Sequence, residues 1–193
     1  MAEPGTAVAR LVVEADWNVW APVPSALPQG RFTELGQWAD ALVDAAADED
    51  WSANERLRLR EFLLSIGETV SSDELRFVNL ADPLRSTYYV SLLCWDSATE
   101  VSVESLAGDE IEGAVREPTV EPFDSPAFAQ GARGVVFQDT GGENHDIGGT
   151  ARWVLRDHGV DVVGLLNMYN VFEFGRQLPV VDDFMRAVAV AAG

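Results

Sequence analysis

Past residue 74 the chain alternates short runs of β-branched and aromatic residues with brief turns. A parallel pairing needs a crossover of a dozen or more residues, so runs joined this tightly pair antiparallel. The spacing predicts strands over Glu74–Leu80 and Ser86–Trp95, the second reading as a central strand. Glu100-Val-Ser-Val-Glu104 alternates strictly, as a half-buried strand does. Ile111–Val115 and Val120–Phe123 are weaker strands, the latter flanked by prolines. Arg133–Gln138, Thr150–Asp157 and Val160–Tyr169 complete the meander, with Asp139–Gly149 as a glycine-rich loop and His158-Gly159 as a turn.

Ahead of this region lies a different pattern. Val8–Glu14 reads as a strand. Trp17 and Trp20 follow, and Pro22, Pro24 and Pro28 then force an extended connection. Leu35, Trp38, Ala39, Leu42, Val43 and Ala46 recur at helical spacing, with Thr33 placed to cap that helix. Ser52-Ala-Asn-Glu55 is a capping box: the serine accepts from a free first-turn N–H and the glutamate reaches back. The helix it opens carries Leu57, Leu59, Phe62, Leu63 and Ile66 inward and Arg56, Arg58 and Arg60 outward, with Gly67 as its stop. A last helix is expected to start near Pro179, whose missing N–H suits a first turn, with Asp182 and Asp183 beside its positive end. Val181, Phe184, Met185 and Val188 are its inward stripe.

No repeat or linker interrupts this order, so residues 1–193 are expected to form one α+β domain: an antiparallel sheet of about six to seven strands flanked by helices. Phe32–Ala47, Thr87–Trp95, Ala132–Phe137 and Leu178–Met185 carry a resemblance in this layout. The chain resembles the Mog1/PsbP-like fold, an antiparallel sheet with helices on both faces, and small actinobacterial proteins of that kind. The resemblance implies a binding or accessory protein and transfers no catalytic residue to any position.

Charge narrows the partners. The 193 residues hold 32 acids against 13 bases, a net charge of -19, and every base is Arg, which points to a GC-rich coding bias. Nucleic-acid affinity comes from neutralising phosphates with Lys and Arg, so a chain this acidic is not expected to bind nucleic acid. Anionic membrane surfaces are disfavoured on the same ground; the acidity is explained by solubility alone or by a basic protein partner. Cys94 is the lone cysteine, which excludes an internal disulfide. With no signal-peptide pattern and no apolar run of membrane length, a cytoplasmic location is expected.

Chemistry-bearing types are sparse: two His, one Cys, no Lys. Asp139, Glu143, His145 and Asp146 share the glycine-rich loop, but their spacing matches no metal loop and a solvated connection explains them. His158 beside Asp157 has the form of an oriented base, yet no elbow motif places a nucleophile near it. Cys94 lies in an apolar strand, where burial makes a thiol inert. No catalytic residue, cofactor or metal is therefore assigned. Trp17 and Trp20 are the candidate partner-binding residues, because Trp concentrates where partners dock. The resulting reading is a non-enzymatic binding or accessory protein. The alternative is a small-ligand-binding protein or enzyme with a pocket between sheet and helices.

Overall fold

The computed structural model describes residues 11–97, 100–109, 113–141 and 146–191. Among these residues it is an α+β structure with four helices and a seven-stranded antiparallel sheet. The sheet strands are β2 (Trp20–Val23), β3 (Glu74–Asn79), β4 (Tyr88–Asp96), β5 (Thr119–Pro122), β6 (Gln130–Asp139), β7 (Ile147–Asp157) and β8 (Val160–Met168), in the order β2-β3-β4-β8-β7-β6-β5. A separate antiparallel pair joins β1 (Leu11–Val13) to β9 (Val188–Val190), Leu11 opposite Val190. Residues 8–10 of the expected first strand lie outside the described residues. Among the described residues no helix is long and apolar enough to cross a membrane.

The chain divides into two compact units, Asp16–Leu92 and the remainder. In Asp16–Leu92, α1 (Leu35–Ala46) and α2 (Ala53–Glu68) bury Trp38, Ala39, Val43, Leu59, Leu63 and Ile66 with Val23 and Val78. The capping box forms as the sequence indicates: Glu55 N–H donates to Ser52 Oγ at 3.3 Å and Ser52 N–H donates to the Glu55 carboxylate at 2.7 Å. Two details differ. Glu34, not Thr33, stands at the α1 cap, and Thr33 instead donates through its N–H and hydroxyl to Gln37. Gly67 does not stop α2, which runs on to Glu68. A Cβ at Gly67 would come within 2.4 Å of Leu35, so the glycine serves close helix packing.

The same unit buries an ion pair. Arg76 Nε and Nη2 donate to Glu74 at 2.7 and 3.0 Å, Nη1 donates to Ile66 O and Thr69 Oγ1, and the guanidinium lies 4.5 Å from the Tyr89 ring centre. Burial alone pushes the Glu74 carboxyl up, but Arg76, the donating Ser91 hydroxyl and the Ser71 N–H outweigh it and hold it below the usual glutamate range.

The other unit is built on β6, β7 and β8, paired along their lengths. Neighbouring residues on β7 face opposite sides, so Val154 meets one helix and Trp153 another. Val154, Val163 and Ala132 pack with Val103 and Ala107 of α3 (Val103–Ala107). Trp153 Nε1 donates to Asp182 of α4 (Val171–Arg186) at 2.8 Å. The α3 segment corrects an expected strand. Ser102 Oγ accepts from Ser105 N–H at 3.1 Å and opens a short helix that buries Val103 and Ala107, one turn apart, and leaves Val101 exposed. A Cβ at Gly134 would lie 1.9 Å from Ala107 O, so α3 rests directly on the backbone of β6.

The glycine-rich connection is shorter than expected, since β7 already starts at Ile147 and Gly148 and Gly149 are strand residues. Glu143 and His145 lie outside the described residues, as do residues 111 and 112 of the expected Ile111–Val115 strand, of which Ala114 bridges Gln138. Pro179 falls inside α4 and not in its first turn. Asp182 and Asp183 consequently sit near the end of α4: Asp182 is buried against Arg133 and Trp153, and Asp183 accepts from Arg186 at 2.8 Å.

Candidate partner-binding surface

The residues that stand out are Tyr169 and Phe172, where β8 hands over to α4. β8 ends at Met168, and Asn170, in an extended conformation, caps α4 with a side-chain oxygen that accepts from Phe172 N–H at 3.0 Å and Glu173 N–H at 3.2 Å. The cap sets which rings turn in and which turn out. Phe174 at the fourth helical position is buried, packing edge-on to Phe137 with centres 6.0 Å apart, and a Cβ at Gly149 would strike its ring at 2.5 Å. Tyr169, just before the cap, and Phe172, at the second helical position, point away: they are 79% and 81% exposed. A residue before the cap commonly packs on the one at the fourth position, but Tyr169 does not close that contact. Two large rings in four residues are thus left in water, where a monomer gains nothing from them.

Glu173, next to Phe172 in the chain, pairs with Arg176 at 3.1 Å, and Gly148 of β7 lies against the Tyr169 backbone.

Trp17 and Trp20, singled out in the sequence, fall in different environments. Trp20 is 5% exposed on β2, edge-on to Tyr88 at 5.9 Å, so it belongs to the core and offers no docking surface. Burial raises the Tyr88 hydroxyl pKa. Trp17 is 54% exposed and leans on Phe77 at 6.2 Å.

The remaining sequence candidates among the described residues lie apart from this surface. Cys94 is part-buried on β4; burial raises its thiol pKa and the Asp96 and Asp161 carboxylates raise it further, which disfavours the thiolate. His158 and Gly159 both have positive φ, 49° and 77°, and make the tight turn joining β7 to β8. The exposed imidazole pairs with Asp157 at 3.1 Å. Asp139 accepts from Gly141 N–H at 2.8 Å as a turn former.

Tyr169 and Phe172 were missed because the sequence reading extended the last strand through Tyr169 and started the helix near Pro179. The available signal was Asn170-Val-Phe-Glu173, a cap residue with an acid three positions on.

No protein-family model matches the sequence, and no curated protein matches it. Among solved structures the chain is similar to the Ran-binding protein Mog1p of Saccharomyces cerevisiae, at 14% identity and a TM-score of 0.42, over 65% of this chain and 83% of that one. At that identity no residue role passes from one chain to the other.

Proposed function

We propose that this chain is a non-enzymatic accessory protein that binds another protein through Tyr169 and Phe172. The observation that carries this reading is the near-complete exposure of both rings beside a buried Phe174. Aromatic anchors of this kind supply much of the energy of protein interfaces. The sheet edges favour side-chain docking over strand addition. β2 carries Pro22 and β5 carries Pro122, next to Pro118 in the approach, and proline removes the N–H an added strand would need. The net charge of -19 favours a partner with a basic rim, disfavours nucleic acid and anionic membranes, and suits a cytoplasmic setting together with the single Cys94.

Trp17 supports a second reading, as a separate contact, because it is half-exposed. Photo-crosslinking in cells separates the two. A benzophenone amino acid at position 172 or 169 is expected to trap one protein in high yield, and position 17 little. A product from position 17 alone would move the interface to Trp17. No discrete product from any of the three positions would overturn the binding reading.

A further inference from the structure

Between α3 and the sheet lies a slot of about 240 Å³, floored by Leu93, Val163 and Leu165, walled by Leu106, and bordered by Trp95 and Arg152. Its lining is apolar apart from one ion pair, and that pair is unequal. Arg152 is held: it rises from β7, its side chain is 21% exposed, and Nη1 donates to Leu106 O at 2.9 Å, satisfying a carbonyl at the end of α3. Asp109 is loose: it is 60% exposed and reaches the same Nη1 at 3.3 Å. Among the described residues the other guanidinium nitrogens have no partner. A tethered cation therefore faces an apolar floor, in a chain with 13 Arg against 32 acids.

We propose that this slot binds a small carboxylate with an apolar body. The planar carboxylate matches the guanidinium fork and displaces Asp109 into solvent. The body lies over Leu93, Val163 and Leu165, with Trp95 at the rim. A dianionic phosphate would meet the Asp109 carboxylate and the chain's overall charge, which leaves the singly charged acid as the better fit. The volume, below the roughly 300–1,000 Å³ of sites for larger ligands, limits the body to one ring or a short chain. This site is independent of the Tyr169–Phe172 surface.

Phenylacetate and its neutral counterpart phenylacetamide test the proposal, titrated into the full chain and followed by amide and methyl NMR. Phenylacetate is expected to shift the Leu93, Trp95, Leu106 and Leu165 signals saturably, with the amide about tenfold weaker or worse. Arg152→Gln should weaken phenylacetate by a similar factor. Asp109→Asn, an exposed change that leaves the fold alone, should strengthen it several-fold by removing the competitor. Equal binding of acid and amide, an Asp109→Asn variant no tighter than the parent, or no saturable shift would each overturn the proposal.

Discussion

Two aromatic clusters of similar composition end in opposite places. Trp20, Phe77 and Tyr88 sit on the strands of the Asp16–Leu92 unit and are all buried. Tyr169 and Phe172 sit at a strand-to-helix junction and are almost wholly exposed. The difference follows from backbone geometry. On a strand, alternate residues share a face, so one buried face takes every second ring with it. At a capped helix start, the ring at the fourth position turns inward and the rings at the second position and before the cap turn outward. The first cluster holds the fold, and the second is free to bind.

Substitution in the buried cluster should have the largest effect. Trp20→Ala removes a fully packed indole and is expected to cost about 3–5 kcal/mol in denaturant unfolding. The loss is expected to be recorded alike by near- and far-UV circular dichroism. A loss under about 1 kcal/mol would break the assignment of Trp20 to the core.

Next come the buried carboxylates. Asp182→Ala leaves the buried Trp153 N–H without its acceptor and Arg133 with its pair to the exposed Glu121, a loss of about 1–3 kcal/mol. Glu74 adds a pH signature. Its folded carboxyl sits below the usual range, so its contribution is complete above the ordinary glutamate range and is lost as pH falls through that range and below. Glu74→Gln should lower stability at neutral pH and flatten the acid limb of the stability profile. An acid limb as steep as the parent's would show that the Glu74–Arg76 pair does not contribute as described.

A smaller effect is expected at the α2 cap. Ser52→Ala loses the side-chain acceptor for Glu55 N–H, a cost of about 1 kcal/mol. The matching change at Asn170 should cost a similar amount and also disturb Tyr169 and Phe172, which links cap to surface.

How much of this was legible in the sequence differs by element. The α1 stripe and the Ser52–Glu55 box were plain because periodicity and cap chemistry agreed over long segments, whereas Leu57, counted into the inward stripe of α2, is exposed. The β6-β7-β8 meander was plain because long apolar runs met short turns. The α3 helix was not, since Val101 and Val103 alternate as in a strand, while the Ser102 cap and the seating on Gly134 favour a helix. The α4 start was missed because the preference of proline for a first turn outweighed the Asn170 cap, while Pro179 in fact sits mid-helix. The candidate surface inherited that error. Tyr169 was counted into a strand, and exposure at Phe172 depends on where the helix begins. The Arg152 slot was beyond reach, because it joins strands and a short helix far apart in sequence.

The most direct test pairs affinity with stability for the Tyr169→Ser, Phe172→Ser double variant, using the protein trapped by crosslinking. Titration calorimetry against that purified partner should show affinity weakened about a hundredfold or more. The free energy of unfolding should stay within about 0.5 kcal/mol of the parent, as for exposed positions that support no packing. Unchanged affinity would contradict the assignment of Tyr169 and Phe172 as the docking surface. An affinity loss matched by a stability loss like that of Trp20→Ala would place the two rings in the core economy of the fold instead.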